Sequence, residues 1–245
     1  MRKPQFRSPM QWARRISQAF FLGLFAYLVL AARQSGDEPS RWLRIFFDFD
    51  PLVGVATWMS THTFAAASLL SLITIAATIV LGRVFCGWIC PLGAAHHIMT
   101  WCAGKKRRKR EAHSPWQRLK YGLLPALLIM ALGGVHWIGV FDPAPLFYRS
   151  LAVFGWPAVQ YSIEESATAV YQADPYVGSF RIINITEPVY KFFRDSVFRA
   201  PRQAFQGTTI IILTFILILA LNLVRPRFWC RYICPLGGML GTLSL

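Results

Sequence analysis

The chain has 245 residues, 55% of them hydrophobic and 15% charged, with a mean hydropathy of +0.41. Soluble domains run about 45–50% apolar and about 25% charged, and disordered chains need low hydrophobicity with high charge density, so this composition excludes disorder. The excess of 26 Lys and Arg over 11 Asp and Glu, a formal +15, is what holds the cytoplasmic loops of a membrane protein in place, and no nucleic-acid partner is expected from it.

The apolar residues gather into runs without Asp, Glu, Lys or Arg, and runs of about 17–25 such residues span a bilayer. In chain order they are 16–32, 64–82, 121–141 and 207–224. Backbone groups in lipid must be satisfied within the segment, so each is expected to be a helix. The first follows a basic tail and lacks a small-residue cleavage pattern, and it reads as a membrane span rather than a signal peptide. The N-terminal tail, the 83–120 segment and the tail after Val224 hold 17 of the 26 basic residues. Loops 33–63 and 142–206 hold the other nine across many more positions. Both termini and the middle segment are therefore expected on the cytoplasmic side.

Within loop 33–63, Trp42, Ile45, Phe46 and Phe49 form a short helical stripe expected at the outer interface. Loop 142–206 is too long for a plain connector. Its Thr186, Pro188, Val189, Phe192, Phe193 and Val197 read as a capped amphipathic helix, serving either a lid or a docking surface. The basic run 105–110 reads as an anchor to anionic lipid.

An internal repeat organises the chain. Arg83-Val-Phe-Cys86-Gly-Trp-Ile-Cys90-Pro91-Leu-Gly93-Ala aligns with Arg227-Phe-Trp-Cys230-Arg-Tyr-Ile-Cys234-Pro235-Leu-Gly237-Gly, identical at seven of twelve positions. A fainter echo pairs Phe49-Asp50-Pro51 with Phe141-Asp142-Pro143. The expected architecture is an all-α integral membrane protein of four transmembrane helices arranged as two repeated helix pairs. The first pair is 1–120, with the first motif and the basic cytoplasmic loop. The second is 121–245, with the second motif and an extracytoplasmic insertion at about 142–206 that contains short interfacial helices.

Four of the five cysteines, Cys86, Cys90, Cys230 and Cys234, form two copies of C-x3-C-P. Thiols on the cytoplasmic side stay reduced, which argues against disulfides. On one helix, residues i and i+4 share a face, and two such pairs supply the four thiolates of a [4Fe–4S] centre. The two leading cysteines of a full ferredoxin run are missing from both copies, which favours one shared cluster. A structural zinc, a thiol–disulfide relay and inert packing are the other readings of the same residues. Cys102 has no counterpart and reads as a bystander.

Other polar residues attract weaker readings. His96 and His97, which lack counterparts in the second copy, read as solvated, with quinone protonation as the functional alternative. His62 and His136 fall near outer span ends, as interfacial residues or a haem pair. Asn222 is expected to make an interhelical hydrogen bond.

Around Cys86-Gly87-Trp88-Ile89-Cys90-Pro91 and Cys230-Arg231-Tyr232-Ile233-Cys234-Pro235 the chain resembles the polyferredoxin-type membrane proteins with paired C-x3-C-P motifs. That family includes the quinol dehydrogenase membrane subunit of periplasmic nitrate reductase and the nitrous-oxide reductase regulator. The resemblance implies a [4Fe–4S] cluster held by Cys86, Cys90, Cys230 and Cys234 in the cytoplasmic (inner) membrane of a bacterium, surrounded by its lipids. It implies electron transfer from quinol or a cytoplasmic donor toward a periplasmic redox protein, as a component of quinol-dehydrogenase type. Such proteins generally continue into a soluble ferredoxin domain, whereas this sequence runs eleven residues past Cys234. A ferredoxin-type subunit is therefore expected as a further segment or a separate polypeptide. The alternative function is a membrane anchor or assembly factor for a periplasmic metalloenzyme, with the cysteines holding a structural metal.

Overall fold

The computed structural model describes residues 9–34, 41–62, 69–82, 84–102, 114–135, 137–173, 176–177, 180–181, 183–196 and 208–244. Helices make up nearly all of it. In the first half they are α1 (Pro9–Gln34), α2 (Arg41–Asp48), α3 (Pro51–Thr61), α4 (Leu69–Leu81) and α5 (Pro91–Cys102). The second half contributes α6 (Leu119–Leu132), α7 (Ile138–Phe141), α8 (Pro143–Ser150), α9 (Trp156–Ala173), α10 (Ile183–Ser196), α11 (Thr208–Val224), α12 (Phe228–Tyr232) and α13 (Pro235–Leu243). A two-residue antiparallel pair, β1 (Tyr176–Val177) with β2 (Phe180–Arg181), joins α9 to α10 and is the one departure from an all-helical chain among the described residues.

Among the described residues one helix, 9–32 within α1, is long and apolar enough to cross a membrane. The α4 and α11 helices are apolar but shorter. Within the expected spans 64–82 and 207–224 helix runs from Leu69 and Thr208 onward, and the first residues of each lie outside the described ones. The expected third helix, 121–141, is not continuous. It breaks after Leu132 at Gly133 and at Gly134, whose φ of +79° lies where L side chains are strained, and resumes as α7. Pro125 sits inside α6.

The helical stripe foreseen after α1 forms as α2, with a different buried face. Leu43 is sealed while Trp42 is 70% exposed. The α10 helix starts at Ile183, so Thr186 is not its cap and Pro188 lies within it. A Lys191 to Glu187 ion pair at 2.7 Å spans one turn there.

Packing repeats the sequence duplication. In the first half α5 lies against α1, and also against α8 and α11 from the second half. In the second half α13 lies against α6, and against α3 and α4 from the first. Each half therefore hands its last helix to the other. Leu92 and Leu236, which follow the two Cys-Pro pairs, are both fully buried, each removing an apolar side chain worth about 2 kcal/mol from water. Phe25 of α1 is also fully buried, in ring contact with Phe46, Phe47 and Phe147.

Four X-Pro steps start helices in this core: Asp50-Pro51, Cys90-Pro91, Asp142-Pro143 and Cys234-Pro235. Proline disfavours the helical region for the residue before it and suits the first helical position. The four preceding residues accordingly hold ψ between 111° and 133°.

Candidate iron–sulfur site

Each motif is a helical turn followed by a break. The first runs through a π-helical turn, Phe85–Ile89, and the second through α12. Cys90 and Cys234 then turn extended and open α5 and α13. The i, i+4 pairing on one helix that the spacing suggests does not form, because the proline after each second cysteine expels it from the helical region. The result places the second thiol of each pair at a helix N-terminus, where unpaired N–H groups favour an anion. Gly237 N donates to Cys234 Sγ at 3.3 Å.

All four cysteines border one cavity of about 500 Å³. Arg14, Lys120, Arg227 and Arg231 line it as well, together with Gln117 and Pro143. The first turn is fastened from α1: Gln18 Nε2 donates to the Gly87 carbonyl at 2.7 Å, Arg14 Nε to the same oxygen at 3.2 Å, and Ser17 Oγ to the Trp88 carbonyl at 3.2 Å. In the second copy Trp229 stacks on Phe141 with ring centroids 6.3 Å apart.

Burial pushes the thiols of Cys90 and Cys234 well up, and the charges of the neighbouring cysteines push them further. Cys230 is raised by burial too, with Arg227 and Lys120 pulling the other way. Thiols raised in this way cannot all carry charge side by side unless a cation or cluster joins them.

The donor set fits a [4Fe–4S] cluster. It is all-thiol and four in number, and a close backbone floor lies beneath it. A Cβ at Gly93 would meet Cys86 O at 3.0 Å and Cys90 Sγ at 3.9 Å. A Cβ at Gly237 would meet Cys230 O at 3.3 Å and Cys234 Sγ at 3.6 Å. Both glycines are thus close-approach positions.

Two buried carboxyl groups stand next to the cysteines. Asp50 and Asp142 are fully sealed from solvent. Leu52 N donates to Asp50 Oδ1 at 3.0 Å, while Asp50 Oδ2 and both Asp142 oxygens lack a donor at normal geometry. Burial raises both carboxyls, Asp50 to about 7, and the charge of Asp50 raises Asp142 further. The negative charge of Asp50 also reaches Cys90. The Phe-Asp-Pro echo marked these positions as repeated, but no sequence signal said that the turns fold into the core.

His96 is buried, not solvated, and both ring nitrogens lack a hydrogen bond among the described residues. Burial, with Arg227 adding to it, holds its pKa down to about 4. His97 lies elsewhere, in a second cavity with Arg15. Asn222 makes the expected interhelical bonds, its Nδ2 donating to His96 O at 3.0 Å and Thr100 Oγ1 at 3.1 Å. Its Oδ1 accepts from the backbone N–H of Arg227 at 2.5 Å, a non-glycine residue held at φ +57°. Cys102 is exposed at the end of α5 and outside the site. His62 caps α3 at φ +53°, and His136 and the 105–110 run lie outside the described residues.

Comparison with known proteins now bears on this cavity. The family described as "4Fe-4S binding domain" matches residues 63–110 and 207–245, the segments that carry the two motifs. Among curated proteins the chain is similar to the methylamine utilization ferredoxin-type protein MauN of Methylorubrum extorquens, at 26% identity over 99% of this chain and 70% of that one. It is similar to the ferredoxin-type protein NapH of Escherichia coli, at 25% identity over 94% of this chain and 64% of that one. A third relative, YccM of Escherichia coli, is 26% identical over 87% of this chain, which spans about half (48%) of that protein. No solved structure matches the chain. The doubled motif, its common cavity and these matches make the chain similar to the polyferredoxin-type 4Fe–4S proteins, with a [4Fe–4S] cluster as its cofactor.

Proposed function

We propose that the chain is a membrane-bound electron relay in which Cys86, Cys90, Cys230 and Cys234 hold a single [4Fe–4S] cluster between the two motifs. The observation that carries this reading is the opening of all four cysteines onto one cavity. When bound, the cluster supplies a one-electron redox centre. The protein's own part is to bury it, to balance its thiolate charge with Arg14, Lys120, Arg227 and Arg231, and to fix both cysteine turns from α1 and α13.

The membrane reading rests on α1 and on the apolar surfaces of α4 and α11. Leu72, Ile79 and Val80 of α4, and Ile210, Leu213 and Leu217 of α11, point outward at 55% exposure or more. Such contiguous apolar faces call for lipid. We take the four membrane segments as 16–32, 64–82, 121–141 in two pieces, and 207–224, in two units, 1–120 and 121–245. The motifs and both termini then face the cytoplasm. The donor is quinol or a cytoplasmic ferredoxin-type protein, and the acceptor is a redox protein on the far side. The hydrocarbon core is about 30 Å thick, so a diffusing quinol or a partner subunit completes the path.

The test is reduction in proteoliposomes. A short-chain quinol or a reduced ferredoxin is expected to raise the paramagnetic signal that dithionite gives, and an added oxidant to remove it. A protein that dithionite reduces but neither donor reduces is not a relay of this kind.

A further inference from the structure

A second cavity, of about 420 Å³, lies beside the cysteine site and shares Arg14, Arg227 and Arg231 with it. Arg15, His97, Gln11, Gln18 and Thr100 also line it, and no carboxylate does among the described residues. The arginines come from distant parts of the chain: Arg14 and Arg15 from the first turns of α1, Arg227 from between α11 and α12, and Arg231 from α12 within the second motif.

Ordinary basic residues at a membrane surface spread apart in water. Here the like charges of Arg14 and Arg227 are close enough to repel, and Arg227 acts on His96 as well. Arg227 is also held in a left-handed backbone conformation that costs free energy for a side chain of this kind. Asn222 enforces it by accepting the Arg227 N–H while donating to α5. The fold thus spends an unfavourable conformation and a like-charge repulsion to gather guanidinium groups around a hollow.

We propose that this cavity binds a phosphate group. Guanidinium forks match phosphate oxygens in pairs, the hollow is wide enough for one such group, and the Gln11 amide on its wall offers a neutral hydrogen bond. The group belongs either to a soluble phosphate compound or to the headgroup of an anionic phospholipid. Because three arginines serve both cavities, a bound dianion draws positive field away from the cysteine site. It favours the more oxidised state there and lowers the potential. Phosphate binding stands apart from the cluster assignment; only the change in potential rests on it.

The test uses the full chain in nanodiscs of zwitterionic lipid, titrated with inorganic phosphate by calorimetry. Saturable binding is expected. Arg15→Gln, which alters this cavity alone, should weaken it about tenfold or more by removing a charged hydrogen-bonding partner. Gln11→Glu, at an exposed position, places a carboxylate in the hollow and should abolish it. Nanodiscs containing phosphatidylglycerol separate the sources: loss of phosphate binding there assigns the site to the lipid headgroup, and unchanged binding assigns it to the soluble compound. Absence of phosphate binding in zwitterionic nanodiscs, or equal binding by both variants and the parent chain, overturns the proposal.

Discussion

Asp50 and Asp142, equivalent members of the two Phe-Asp-Pro turns, meet as a pair of buried carboxyl groups at the N-termini of α3 and α8. Two carboxylates cannot sit together in a dry interior, so at least one keeps its proton. The pair joins the two halves of the repeat at the level of the cysteines, since Pro143 lines their cavity and Asp50 acts on Cys90.

The sign of the resulting pH dependence follows from the raised values. Asp50 keeps its proton to about pH 7 in the folded protein, whereas an aspartate in the unfolded chain loses it near about 4. Between those values the folded state binds more protons, so stability falls as pH rises from about 4 to about 7. Asp142→Asn supplies a permanent donor to Asp50 and should flatten that slope. Thermal unfolding of the two proteins between pH 5 and pH 8 measures it, and equal slopes would show that the pair is not protonated as described.

Gly93→Ala and Gly237→Ala should both reduce cluster content, the first more severely. The added carbon lies 3.0 Å from Cys86 O in one case and 3.3 Å from Cys230 O in the other, and contacts under about 3.4 Å push backbone that the thiols depend on. Visible absorbance per chain after anaerobic purification reads the loss. Full occupancy in Gly93→Ala would mean that the floor of the cavity is less close than described.

How much of this was legible in the sequence differs by feature. The twelve-residue repeat already singled out Cys86, Cys90, Cys230 and Cys234, and they do share a cavity. The break between the members of each pair was also written there, in Pro91 and Pro235, but the four-residue spacing suggested one helix face. Asp50 and Asp142 were visible only as an echo, because acidic residues in a loop between apolar runs ordinarily face water. His96 looked like a solvated residue near a basic segment, yet α5 folds back against α1 and α11 and buries it. Arg14 and Lys120 stand next to expected spans and read as topology markers; their place in the cavity depends on chain folding over long separations. Gly133 and Gly134 sit at the break in the third apolar run, which hydropathy read as one helix over 121–141.

Asn222→Leu should destabilise the protein by about 1–3 kcal/mol, the cost of leaving buried partners unpaired. It removes two bonds to α5 and the one that holds Arg227. Thermal unfolding in detergent checks it. A variant as stable as the parent would show that Arg227 keeps its conformation without that support.

Lys120→Gln should lower the midpoint potential of the cluster. Lys120 is buried at the cavity wall, 7% exposed, and its charge favours the reduced, more negative state. Redox titration followed by paramagnetic resonance gives the shift. A rise in potential would mean that Lys120 does not act on the cluster as a positive charge.

The most direct test of the central claim is iron, zinc and acid-labile sulfide per chain on anaerobically purified protein, with a paramagnetic resonance spectrum after dithionite. One shared [4Fe–4S] cluster predicts about four irons and four sulfides, a single reduced-cluster signal, and the loss of both on Cys86→Ser or Cys230→Ser alone. One zinc without sulfide, or iron that survives the loss of either motif, would contradict it.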